Sequence, residues 1–312
     1  MGKPSRTEET LYYLLGEDIR AYLIDDNITE IYLNSNSDVI WIDTKDKGRV
    51  ATGKMMDAQT AANVIYTIAD LTGKVCNDTN ETLAAEFQGI RFQGLLPRVV
   101  EKPAFNMRKH CAGLLTLDDY VKSGIMTKRQ REVLLEAIYS HKNILAAGGT
   151  KSGKTTFLNA VLAEIAKTGD RVVLLEDTKE LQCAAKDMDR LLTTENKTLE
   201  DLLRDTLRLT PERIIVGEVR GAEALILLDA WSTGHKGGAS TVHANSARQT
   251  LRRLEELAAR AEARAHQYMI GEAIDIIVYL RYSGLQRRVE QILAVDGWDA
   301  AKEEYLVRDL CA

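Results

Sequence analysis

Cysteine is scarce. The chain has four, Cys76, Cys111, Cys183 and Cys311, and no two form a C-x-x-C pair. The usual zinc cluster is thereby excluded. The opening stretch MGKPSRTEETLYYLL is charged and lacks the apolar centre of a secretory leader. Reduced thiols and a cytoplasmic location are therefore expected, not a disulfide framework. Proline occurs only at Pro4, Pro97, Pro103 and Pro211, so glycine supplies most of the punctuation. Apolar runs are a handful of residues long, far below the roughly 20 needed to cross a bilayer. Any membrane contact is expected to be peripheral or through partners. Excess positive charge is also missing: 41 Lys and Arg stand against 46 Asp and Glu, a net charge of -5. With no stripe of basic and aromatic residues, direct sequence-specific nucleic-acid binding is not expected.

What is present suits a globular chain of more than one domain, with 312 residues, 45% hydrophobic and 28% charged. Residues 8–24 carry Leu11, Leu14, Leu15, Ile19 and Leu23 at helical spacing. Extended runs follow at residues 28–33 and 39–43, then a helical stretch at 57–72, then extended runs at 82–87, 90–95 and 104–108. This half reads as a small α+β domain. Gly113 opens a connector, and helical stretches begin at Thr116 and Thr127. Beyond it, strand and helix patterns alternate: apolar runs at 143–147, 171–175 and 214–216, with an amphipathic stretch at 154–166 after the first. Such alternation predicts a mainly parallel sheet with helices on both faces. The boundary is placed near residue 113, giving domains 1–113 and 114–312.

The string Gly148, Gly149, Thr150, Lys151, Ser152, Gly153, Lys154, Thr155 satisfies G-x-x-x-x-G-K-S/T, and Thr156 continues it. It lies between an apolar run and a helix, the context that a phosphate-binding loop requires. Backbone N–H groups of such a loop point at phosphate oxygens. Lys154 is expected against the β- and γ-phosphates, and the Thr155 hydroxyl on Mg2+. Lys151 stands where a positive φ can be needed, a conformation that costs a non-glycine residue some strain.

Hydrolysis needs a carboxylate beside the phosphate. Ile214, Ile215 and Val216 form a buried strand, Gly217 allows close approach, and Glu218 emerges at the end where open α/β sheets bind ligands. The run of Val172, Val173, Leu174 and Leu175 leads to Glu176 and Asp177 by the same logic, with helix or turn capping as the other use of Asp177. Of the five histidines, His243 is the informative one, because it ends a short strand after a glycine-rich turn. Its imidazole there can donate to a γ-phosphate oxygen.

Taken together, GGTKSGKTT, LLEDTKELQC, RIIVGEVRGAEAL, WSTGHKGGASTVHAN and RFQGLLPRVVEKPAFNMRK resemble the hexameric ATPases of type IV secretion and conjugation. These belong to the wider secretion and pilus ATPase superfamily. The resemblance runs from about residue 27 to the end. It implies a RecA-like P-loop ATPase domain preceded by a smaller α+β domain. It also implies ATP and Mg2+ as cofactors, a homohexamer, and inner-membrane components of a secretion apparatus as partners. Lys154 and Thr155 match the Walker A residues, and Glu218 the Walker B glutamate. Glu176 and Asp177 match the acidic box, with Glu176 near the metal or the lytic water. His243, after Thr241, matches the histidine box. Arg108 matches a linker arginine that reaches the nucleotide; Arg91 and Arg220 are further arginines for phosphate or intersubunit contacts. The pattern departs at Lys151 and Lys179, where glycine is usual, and at Thr210, where arginine is usual. The implied function is a motor for pilus assembly or substrate transfer. The alternatives are a type IV pilus or type II secretion motor, and a nucleotide-binding ring scaffold with little hydrolysis.

Overall fold

The computed structural model describes residues 5–109, 115–284 and 286–311. The chain divides into two compact units, Met1–Gly113 and Leu114–Ala312. His110, Cys111 and the connector at Gly113 lie outside the described residues.

The first unit contains α1 (Arg6–Ile24), β1 (Ile28–Leu33), β2 (Val39–Thr44), β3 (Gly48–Met55), α2 (Ala58–Thr72), β4 (Thr82–Phe87), β5 (Ile90–Leu95) and β6 (Ala104–Lys109). Its strands form one sheet in the order β3-β2-β1-β6-β5-β4, with every neighbouring pair antiparallel. Two-residue periodicity sends Ile31, Leu33, Phe92, Phe105 and Met107 into a core shared with Leu11, Leu15 and Ile19 of α1 and Val64, Ile65 and Ile68 of α2. The helical stretch at 8–24 is not continuous: Gly16 takes φ 67° and ψ 176°, a conformation open to glycine, and breaks α1 in two. β3 has no counterpart in the sequence reading. Its residues, GRVATGKM, are mostly exposed and polar on a sheet edge, where no hydrophobic alternation is required.

The second unit begins with α3 (Leu117–Lys122) and α4 (Lys128–Tyr139), opened by reciprocal caps between Thr116 and Asp119 and between Thr127 and Gln130. There follow β7 (Ile144–Gly148), α5 (Lys154–Ile165), β8 (Val172–Glu176), β9 (Met188–Leu192), α6 (Leu199–Thr206), β10 (Arg213–Val219), α7 (Glu223–Ser232) and β11 (Ala239–His243). The unit closes with α8 (Ala247–Ala258), α9 (Gln267–Ala273), β12 (Ile276–Ser283), β13 (Gln286–Asp299) and β14 (Glu304–Asp309). The sheet order is β14-β13-β12-β7-β11-β10-β8-β9. Pairing is parallel from β12 to β9 and antiparallel through β13 and β14. β7 and β8 are buried at every position, which is why they read as unbroken apolar runs. Leu145, Ala147, Leu175, Ile214 and Val216 face a core with Trp231 and Leu254. Ile144, Ala146, Leu174 and Ile215 face the opposite core with Leu134 and Phe157. Helices therefore cover both faces, and the strand ends between them are left to carry the chemistry.

Candidate functional site

Four sequence-predicted segments end side by side at the carboxyl edge of the parallel strands. β11 lies between β7 and β10, and β8 lies beyond β10. His243 pairs in register with Gly148, where the phosphate-loop sequence begins. Val219, after Glu218, pairs with Val242, before His243. The Thr241 hydroxyl donates to the Gly217 carbonyl at 2.8 Å and ties these strands together just below the site.

The loop from 148 to 153 is built around glycine. A Cβ on Gly148 would stand 2.4 Å from the Leu280 carbonyl oxygen and 2.6 Å from Ser152 Oγ, so nothing larger fits. Lys151 takes φ 63°, and Gly153 takes φ 91° as the N-cap of α5. No side chain caps α5, so the N–H groups of its first turn keep their donors for an anion. Lys154, only 8% exposed, folds over the loop and donates to the Gly148 and Gly149 carbonyls at 3.0 and 3.1 Å. Ser152 Oγ is buried without a hydrogen-bond partner. A buried cation, an uncapped helix start and an orphaned hydroxyl in one loop make a cradle that fits a polyphosphate.

Glu218 stands across from this cradle. Its Oε2 accepts from Arg220 Nη2 at 2.8 Å, and its Oε1 lies 3.1 Å from His243 Nε2. That contact is not aligned as a hydrogen bond, and Oε1 is buried with its acceptor capacity unused. His243 also approaches Lys154 Nζ, at 3.3 Å from Nδ1 and 3.4 Å from Nε2. Burial and then the Lys154 cation hold the His243 imidazole below its ordinary pKa, against the pull of Glu218. The shift favours the neutral ring, which has one N–H to donate. Arg220 spans two acids, since its Nη1 is 3.5 Å from Asp177 Oδ2.

Glu176 is placed differently from the expectation of a metal or water ligand. Its side chain is 2% exposed and both oxygens are engaged. Oε1 accepts the backbone N–H of Glu180 at 2.8 Å and of Leu181 at 2.6 Å, and Oε2 pairs with Arg190 of β9. Arg190 Nη2 donates on to the Leu181 carbonyl at 2.8 Å. Burial pushes the Glu176 carboxyl up, while the two N–H groups and Arg190 oppose this. The arrangement folds the segment after β8 and leaves Asp177, 42% exposed, as the acid of that pair open to solvent.

Arg190 carries no motif signal; it sits in a short edge strand, MDRLL, with no alternation. Exchanging it for methionine leaves Glu176 buried beside an apolar group. The expected loss is about 3 kcal/mol of stability, the scale for breaking a buried pair. In thermal unfolding this reads as a drop of roughly 10 °C. Adding Glu176→Gln to Arg190→Met is expected to recover part of it.

Arg108 is exposed on β6 of the first unit, in register with Glu30 on β1 and Arg91 on β5. Lys179 is exposed. Thr210 is exposed and holds φ 50°, so it departs from the family pattern in a strained backbone position as well as in charge. Among the described residues, no cluster of three His, Cys, Asp or Glu side chains could hold a metal. A metal held here would take most of its ligands from phosphate and water, which is how Mg2+ binds beside nucleotides. Thr155 and the Glu218 carboxylate are oxygen donors of the right kind.

These features define a P-loop nucleotide-binding protein of RecA-like architecture. The family model described as type II/IV secretion system protein matches residues 16–285. The conjugal transfer protein TrbB of Rhizobium radiobacter is 44% identical over 288 residues, 91% of this chain and 88% of its own length. A probable conjugal transfer protein TrbB of Sinorhizobium fredii is 42% identical over 295 residues, covering 93% and 90% of the two chains. The chain belongs to the type II/IV secretion system protein family, and the conjugal transfer proteins TrbB are among its relatives. The fold agrees with the ATPase DotB of Legionella pneumophila, at TM-score 0.62 and 19% identity over 99% of this chain and 82% of that one. The pilus retraction motor PilT, solved with bound ADP, gives TM-score 0.60 at 20% identity over 85% and 77%.

Proposed function

We propose that the chain hydrolyses ATP and that a ring of six copies uses this to power pilus assembly or substrate transfer in a conjugative type IV secretion apparatus. One observation carries the reading: Lys154, His243 and Glu218 converge at the carboxyl edge of the parallel strands, within 3.4 Å of one another in succession. The loop from Gly148 to Gly153 and the start of α5 hold the triphosphate through backbone N–H groups. Lys154 exchanges its two loop carbonyls for phosphate oxygens. Thr155 and Glu218 would hold Mg2+, which would supply charge neutralisation for the phosphates. Glu218 orients the attacking water through its unused Oε1 and takes up its proton. His243 donates its single N–H to the γ-phosphate. Glu176 acts one layer back, holding the segment that carries Asp177.

His243→Ala is expected to give an intermediate defect, with turnover reduced by roughly tenfold and ATP still bound, the scale for one hydrogen bond to a charged group. Steady-state phosphate release checks this. Native mass spectrometry with an ATP analogue and Mg2+ tests the ring: six copies are expected, and a monomer at high concentration contradicts it. No helix among the described residues is long and apolar enough to cross a membrane. We propose peripheral attachment to the inner membrane through partner proteins, so a high-salt or alkaline wash is expected to release the protein from membranes.

A further inference from the structure

The phosphate loop is bracketed by an element that its motif does not include. β12 runs parallel to β7 with Leu280 opposite Gly148, and the Leu280 carbonyl blocks any side chain at 148. The next strand, β13, returns antiparallel and sets Arg287 opposite Tyr282. From there Arg287 crosses to the loop. Its Nε donates to the Lys151 carbonyl at 3.0 Å. Its Cδ lies 3.3 Å from where a Cβ on Gly153 would stand. Its guanidinium carbon sits 5.2 Å from the centre of the Tyr282 ring, which holds the plane in place.

We infer that Arg287 is a positioning residue for the nucleotide site: it sets the peptide after Lys151 and holds that residue in its left-handed conformation. The inference rests on the nucleotide site proposed above. Two residues of the loop have positive φ, at 63° for Lys151 and 91° for Gly153. Gly153 adopts this freely, whereas Lys151 does not. The carbonyl of a left-handed residue points away from its usual partners, and this one meets the Arg287 N–H. Fixing it sets the path of the chain into Gly153 and the uncapped start of α5, whose N–H groups suit an anion. The same guanidinium adds a cation beside the loop. A fixed planar donor is needed, because one N–H must meet the carbonyl while the plane lies on Tyr282; lysine offers neither.

The test measures the affinity of a fluorescent ATP analogue together with kcat and KM for ATP. Arg287→Ala is expected to weaken analogue binding and raise KM by roughly tenfold, the scale of one hydrogen bond from a charged donor. kcat is expected to stay within about threefold, since the groups acting on the attacking water are untouched. Arg287→Lys is expected to lose most of the same affinity. In a Lys151→Gly background the penalty of Arg287→Ala is expected to shrink to about threefold or less, because glycine needs no holding at that φ. An unchanged KM in Arg287→Ala overturns the inference. So does full function in Arg287→Lys, which makes the residue a mere charge, or an equal penalty with Gly at 151, which uncouples the two positions. Failure of the unaltered chain to bind the analogue overturns the nucleotide site itself, a result separate from all of these.

Discussion

Glu218→Gln is expected to lower ATP turnover by roughly a hundredfold or more while ATP still binds, the scale for losing a positioned acid–base group. The amide keeps the shape of the carboxylate and can stay between Arg220 and His243. It cannot take the proton of the attacking water, and it holds a cation less strongly. The phosphate cradle is built from the loop and α5, so the affinity for a fluorescent ATP analogue is expected to stay close to that of the unaltered chain. The variant is expected to accumulate as an ATP-bound ring. Turnover at the parent rate would remove Glu218 from its role and make the acids at the end of β8 the next to test.

Lys154→Ala is expected to abolish turnover and to weaken ATP binding as well, by roughly ten- to a hundredfold, because charge-assisted contacts to phosphate are lost in the ground state. Lys154 is almost fully buried, and its ammonium already sits against two loop carbonyls and His243. Removing it therefore also relaxes the loop. The pair of variants separates two functions: the lysine serves binding and reaction, the glutamate serves reaction alone. Equilibrium binding beside phosphate release, measured on both, distinguishes them. Equal loss of affinity in both would place Glu218 in the binding cradle instead.

Much of the nucleotide half was legible in the chain because the forces there are local and strong. β7, β8 and β10 are buried on both faces and must be apolar, and the glycines of the loop answer to backbone geometry. Lys151 was marked as a position that can need positive φ, and it has φ 63°. The convergence of Gly148, His243 and Glu218 follows from strand order, which the sheet displays and no motif states. What escaped is non-local or weakly patterned. β3 is a mostly polar edge strand and β9 a five-residue edge strand, MDRLL, without alternation, so no two-residue pattern marks either. Whether Glu176 faces the metal or the protein depends on Arg190, fourteen positions away, and on two N–H groups of a turn. Arg287 meets Lys151 across most of a domain, through a strand pairing that no spacing announces. The kink at Gly16 was missed because the apolar periodicity on both sides of it stays in phase.

The central claim is that the edge formed by Lys154, His243 and Glu218 hydrolyses ATP in a Mg2+-dependent way. Phosphate release by the purified chain, measured with ATP and Mg2+ and again after chelation, tests it most directly. The account predicts sustained release with Mg2+ and release falling to the level of Lys154→Ala once the metal is removed. A chain that binds ATP yet releases no more phosphate than Lys154→Ala with Mg2+ present would contradict it.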